Sequence, residues 1–136
     1  MTKFEKLEEI LYKYKEYEVE LKGIELDIKE IGSVAMIYDD MPTAHNISSP
    51  VESNYDKLER FKIDKLCIEI KKEKIDNMLR LLNDYELKLI KMRYFDKLES
   101  REIARRLNIH ETTLYKKRRA IFDNKLIPFA ERFKLI

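Results

Sequence analysis

Ser100-Arg-Glu-Ile-Ala-Arg-Arg-Leu-Asn-Ile-His-Glu-Thr-Thr-Leu-Tyr-Lys-Lys-Arg-Arg119 is the stretch that decides the fold of this chain. Ser100 has the side chain to cap a helix over 101–107, with Arg101 and Glu102 in its first turn. Asn108 falls where the chain needs a left-handed residue to turn, a conformation Asn tolerates better than most side chains. A second helix is expected over about 111–126, stopped by Pro128. Ile103, Leu107, Ile109 and Leu114 are spaced to form a small core between the two helices. Ala104 is small where the helices approach, and Ile121 and Phe122 extend the apolar face. The pattern is that of a helix-turn-helix.

Upstream, Asn83-Asp-Tyr-Glu86 is a capping box that starts a helix over about 84–96. Its apolar face is Leu87, Leu89, Ile90, Tyr94 and Phe95. The C-terminal module, 83–136, is therefore expected to hold three helices. The tail after Pro128 has Phe129, Phe133 and Leu135 to pack back on it.

Residues 1–82 read as two long helices joined by a loop at about 32–49. Phe4, Leu7, Leu11 and Tyr14, then Tyr17, Leu21, Ile24, Ile28 and Ile31, mark a helix over 3–31. Two three-residue steps meet at Tyr14–Tyr17, an irregularity resembling a stammer. Gly32-Ser33 is expected to end this helix. Asp39 to Pro50 is turn and loop chemistry, and His45 in it reads as a solvated loop residue. Ser49-Pro50-Val51-Glu52 is a start signal for the second long helix, which should reach about Leu82. Its stripe includes Val51, Tyr55, Leu58, Ile63, Leu66, Ile70, Met78 and Leu82. Helices of such similar length suit a hairpin within one chain or a dimer bundle, and the pattern leaves both open. The fold class is thus all-α: a long helical hairpin or dimerisation arm plus a three-helix C-terminal module.

Composition narrows the function. Among 136 residues there are two Gly, three Pro and one Cys, against 40% charged residues. A single cysteine builds neither a disulfide framework nor a cysteine-based metal site, and it suits a reducing cytoplasm. The apolar neighbours of Cys67 make it a packing residue. There is no Gly-rich phosphate loop, no Ser/His/Asp arrangement and no paired metal ligands. No enzyme activity, metal or cofactor is therefore expected, and His110 reads as a turn residue. The longest apolar run, Val34-Ala-Met-Ile-Tyr38, is too short for a bilayer, so no membrane is expected. Nor does the acidic turn taken after Met1-Thr-Lys-Phe-Glu-Lys suit a signal peptide. Charge is asymmetric: residues 84–136 hold 14 Lys+Arg against 8 Asp+Glu, and residues 1–83 hold 14 against 18. A basic module behind an acidic arm is the layout of a nucleic-acid reader on a scaffold.

Removing the core positions from the second helix of the motif leaves Glu111, Thr112, Tyr115, Lys116 and Arg119 on one face, with Thr113 at its edge. These residues are expected to enter the major groove of duplex DNA. Arg and Lys donate to guanine O6 and N7, and Thr packs on thymine methyls. Arg93, Arg101, Arg105 and Arg106 are expected to contact phosphates, which orient without specifying. Lys117 and Arg118 are expected to face elsewhere.

Three segments then carry a resemblance: Leu87-Lys-Leu-Ile-Lys-Met-Arg-Tyr-Phe95, Glu102-Ile-Ala-Arg-Arg-Leu-Asn-Ile109 and Thr113-Leu-Tyr-Lys-Lys-Arg-Arg-Ala-Ile121. Together they are similar to region 4 of bacterial sigma factors. The whole chain resembles the small phage transcriptional regulators of the RinA/ArpU type, including an Asp40-Met-Pro42 loop and an Arg93-Tyr-Phe95 segment. The resemblance is one of motif over 83–126 and of architecture over 1–82. It implies a regulator of phage late genes that binds promoter DNA and engages RNA polymerase, in the host cytoplasm at the nucleoid. A homodimer through residues 1–82 is a further expected partner. Two departures, Lys117 at a usually apolar place and Asn108 for the commoner Gly, leave the contact face open by one residue. The rival classes are a small terminase-type DNA-packaging protein and a coiled-coil adaptor that binds only protein.

Overall fold

The computed structural model describes the backbone of residues 1–39 and 48–136 and the side chains of residues 1–33 and 54–136. Every element among them is helical. The order is α1 (Lys3–Tyr12), α2 (Tyr14–Asp39), α3 (Ser48–Leu79), α4 (Asp84–Ile90), α5 (Ser100–Leu107), α6 (Glu111–Ile121) and α7 (Ile127–Arg132). A π-helical turn, Lys91–Phe95, extends α4, and another, Phe122–Leu126, joins α6 to α7.

Two compact units emerge. The first comprises 1–15 and 71–136, the second 16–70, so the expected boundary at 82/83 falls inside the first unit. The first unit owns the core. Phe4, Leu7 and Leu11 of α1 are buried with Ile75, Met78 and Leu79 of α3, Leu89 and Ile90 of α4, Ile103 and Ala104 of α5, and Leu114 and Ile121 of α6. Aromatic rings tie α1, and Tyr14 at the start of α2, to the rest. Phe4 meets Phe122 at 4.4 Å, Tyr12 meets Tyr94 at 4.8 Å, and Tyr14 stacks on Phe95 at 4.5 Å. The three receiving aromatics all lie in the two π-helical turns. A wider turn re-aims side chains locally, and here it does so where α1 docks.

Several sequence expectations are corrected. The helix expected over 3–31 is two helices broken at Lys13, beside the Tyr14–Tyr17 irregularity. The break lets Phe4, Leu7 and Leu11 serve the first unit while α2 continues separately. α2 does not stop at Gly32-Ser33 but runs to Asp39. One interior Gly costs only about 1 kcal/mol, and Ser33 Oγ donates to the Lys29 carbonyl at 3.0 Å instead of capping. Ser100 is the first helical residue of α5, and Glu99 occupies the cap without a side-chain bond. Pro128 does not end the last helical stretch. The π-helical turn resets the register, so Pro128 falls in the first turn of α7, where a missing N–H is harmless. Cys67 is exposed rather than packed.

Other expectations hold. Asn83 accepts from the Glu86 N–H at 2.9 Å and Glu86 returns the bond at 3.1 Å, completing the capping box. Asn108 is left-handed, with φ 55° and ψ 49°. α3 begins at Ser48, near the expected start, but the Ser49–Glu52 capping side chains, the Asp40–Pro42 loop and His45 lie outside the described residues.

In the second unit the stripe read on α3 divides. Leu58, Phe61, Lys65 and Ile68 are half-buried, whereas Ile63, Leu66 and Ile70 are 60, 55 and 45% exposed and Tyr55 is exposed too. On α2, Leu21, Ile24, Ile28 and Ile31 are half-buried. Lys65 reaches Glu25 at 3.9 Å, joining the two helices within one chain. Among the described residues, no helix is long and apolar enough to cross a membrane.

Candidate nucleic-acid interface

The turn between α5 and α6 is built by backbone geometry. With Asn108 left-handed, the Ile109 N–H reaches the Ala104 carbonyl at 3.0 Å and the Asn108 N–H reaches Arg105 at 3.2 Å, closing the end of α5. Ile103 and Leu114 are buried across the turn, while Leu107 and Ile109 are half-buried. Buried Ala104 adds little bulk at the approach.

Leu114, Arg118 and Ile121 form the buried stripe of α6. At 100° per residue, the positions farthest from that stripe are Thr112, Lys116, Arg119 and Ala120. Tyr115 lies at one margin of that face and Thr113 at the other, while Glu111 falls nearer the buried stripe. Glu111, Thr112, Tyr115 and Lys116 are exposed, and Thr113 and Arg119 are half-buried. In the packing Arg118, not Lys117, lies on the core side. Arg118 is only 9% exposed, its guanidinium 5.7 Å from the Tyr115 ring and its Nε without a hydrogen-bond partner. Lys117 is exposed and directed to Tyr85, donating to its hydroxyl at 3.2 Å with the ring 4.7 Å away.

The four arginines expected at phosphates occupy different settings. Arg101, Arg105 and Arg106 are exposed on α5. Arg105 and Arg106 both bond Glu102, at 2.6 and 3.1 Å from Arg105 and 2.9 Å from Arg106. The bonds from Arg105, then Arg106, hold the Glu102 carboxyl down at about 2, and Glu102 in turn raises Arg105. Arg93 is half-buried and donates to the Leu98 carbonyl at 3.3 Å, tying down the α4–α5 connection.

Two partners of the face were not foreseen. Asp123 accepts from Arg119 Nε at 3.3 Å, and the Phe4 ring lies 4.4 Å from the Arg119 guanidinium. The Asp123 contact is an i,i+4 pair and could have been read from spacing. No local signal connects Phe4 to Arg119. Behind the face, Tyr94 donates to Glu8 at 2.8 Å, and burial followed by this bond raises the phenol pKa well above its ordinary value. Lys125 meets Glu86 at 2.5 Å; burial works against that carboxylate, but the bonds from Lys125 and the Asn83 N–H outweigh it and lower its pKa. Among the described residues, no group of three or more His, Cys, Asp or Glu side chains could hold a metal ion.

A family model described as "Sigma-70, region 4" matches residues 72–120. The matched segment runs from the end of α3 through nearly all of α6, so it contains the helix-turn-helix. The match supports a DNA-binding helix-turn-helix role in transcription. No curated protein and no solved structure matches the chain.

Proposed function

We propose that this protein is a sequence-specific regulator of transcription, acting on phage late genes, that reads the major groove of duplex DNA with α6. The observation that carries the reading is the exposed face of α6 opposite a well-packed core stripe, set beside α5 with three exposed arginines. Thr112, Lys116 and Arg119 are assigned to base edges, with Thr113 and Tyr115 at the margins and Glu111 on the flank toward the core stripe. Arg101, Arg105 and Arg106 are assigned to phosphates. Arg93 is the weakest of the phosphate assignments, since its guanidinium is already used on Leu98. RNA polymerase is the protein partner in keeping with the sigma-region likeness, and the host nucleoid the place of action.

We also assign a homodimer to the arm. Ile63, Leu66 and Ile70 follow the three-four spacing of a helix-pairing seam and are exposed in the single chain. A two-fold dimer would present two readers to a pseudo-palindromic site.

The test is selection of a binding site from a random duplex pool, followed by binding of a Lys116→Ala, Arg119→Ala double variant. Loss of specific binding with unchanged helicity is expected. Unchanged affinity at physiological salt would sink the assigned face. A steep fall of affinity with salt distinguishes DNA binding from a protein-only adaptor, because released counterions report phosphate contacts.

A further inference from the structure

Arg119 stands on the reading face, yet its guanidinium is held by a residue from the opposite end of the chain. Phe4 of α1 lies 4.4 Å from it, and Asp123 takes Nε at 3.3 Å. Those contacts leave the two terminal amino groups of the guanidinium outside the Asp123 bond. Phe4 is itself fixed. Its ring packs on Phe122 at 4.4 Å and is buried. α1 is anchored by Leu7 and Leu11 in the core, by the Tyr94–Glu8 bond and by Lys3 on Glu131 at 2.8 Å. None of α1 lies in the segment that the sigma-region family model matches.

We propose that Phe4 is a positioning residue for DNA recognition: its ring holds the Arg119 guanidinium in the orientation that meets a guanine edge. This rests on the reading of α6 as the groove-entering helix. The physical ground is preorganisation. A free arginine side chain loses rotamer freedom when it docks on a base, and one already stacked and bonded loses less. Asp123 offsets the charge of Arg119, so the side chain contributes direction more than attraction for any phosphate. The reader is then four helices deep, with an N-terminal helix that tunes specificity from behind.

The test uses the full chain, a duplex selected from a random pool, and an unrelated duplex of equal length. Phe4→Leu keeps apolar volume against Phe122 and removes the π face; Phe4→Tyr keeps the ring. Phe4→Leu should weaken binding to the selected duplex about two- to five-fold, the range of an exposed cation–π contact. It should leave the unrelated duplex unaffected, Phe4→Tyr should behave as the wild type, and in an Arg119→Ala background Phe4→Leu should change nothing further. Should Phe4→Leu melt below the assay temperature, Phe4→Met takes its place. Equal weakening on both duplexes, the same loss with or without Arg119, unchanged affinity or tighter binding would each overturn the proposal. If no duplex is selected, or Arg119→Ala binds as the wild type does, the reading of the face fails and takes the proposal with it. If Arg119→Ala weakens binding and Phe4→Leu does not, the positioning role alone fails.

Discussion

Asn108 shows how one residue sets the reader. Its φ of 55° would crowd a Cβ-bearing residue without Asn's local polar contacts, and the Ile109–Ala104 bond depends on it. Asn108→Gly should keep the melting temperature, and Asn108→Ala should cost about 1 kcal/mol. Equal melting of the alanine variant and wild type would show that the left-handed turn makes no demand on this side chain. Glu102 works in the opposite sense, holding the two arginines that we assign to DNA phosphates. Glu102→Gln should raise affinity for unrelated duplex and steepen its salt dependence by about one unit for each phosphate newly bound. The same pair has a pH signature. A carboxyl lowered from 4.5 to about 2 in the folded chain adds stability above pH 4.5, lost as pH falls from there to about 2. Acid titration of melting temperature should show this loss diminished in Glu102→Gln. The effect is small, because the pair is solvent-exposed.

At the scale of elements, α1 is the instructive case. Its capping box, Thr2 with Glu5, and its narrow apolar stripe are ordinary features of a helix start. What they do not reveal is the partner of the stripe. Leu7 and Leu11 are fully buried in the unit that contains the helix-turn-helix. Leu7→Ala should therefore destabilise that unit by about 2–5 kcal/mol, although Leu7 lies far outside the matched segment. Denaturant unfolding followed by helicity and tyrosine fluorescence checks this. An unchanged midpoint would make α1 an accessory. Caps and turns at Asn83 and Asn108 were legible because each depends on neighbours within five residues. The π-helical turns at Lys91–Phe95 and Phe122–Leu126 were not, since nothing in local propensity calls for an extra residue in a turn. Their aromatics face α1, whose approach is a long-range event.

Across the whole molecule, the described side chains of the second unit form little core beside those of the first. Among its described residues only Tyr17 is buried. Helices this polar gain most of their stability from packing an apolar face. Leu66→Glu places a charge in the middle of the exposed Ile63–Leu66–Ile70 seam. It should convert the proposed dimer to a monomer by mass in solution, leaving affinity for a half-site intact. A wild type that is already monomeric at assay concentration would exclude the seam.

The sequence by itself determined what depends on near neighbours: an all-α chain, a capped helix at Asn83, a left-handed turn at Asn108, and a basic face on α6. It also carried the sigma-region likeness, because that likeness resides in contiguous motifs. Only the tertiary structure decided that α1 belongs with the reader, that Arg118 rather than Lys117 lies on the core side, and that Arg119 rests on Phe4. Periodicity says which face of a helix is apolar, but not which distant face it meets. That choice is made when the whole core packs, and here it brought the first turn of the chain beneath the helix assigned to DNA.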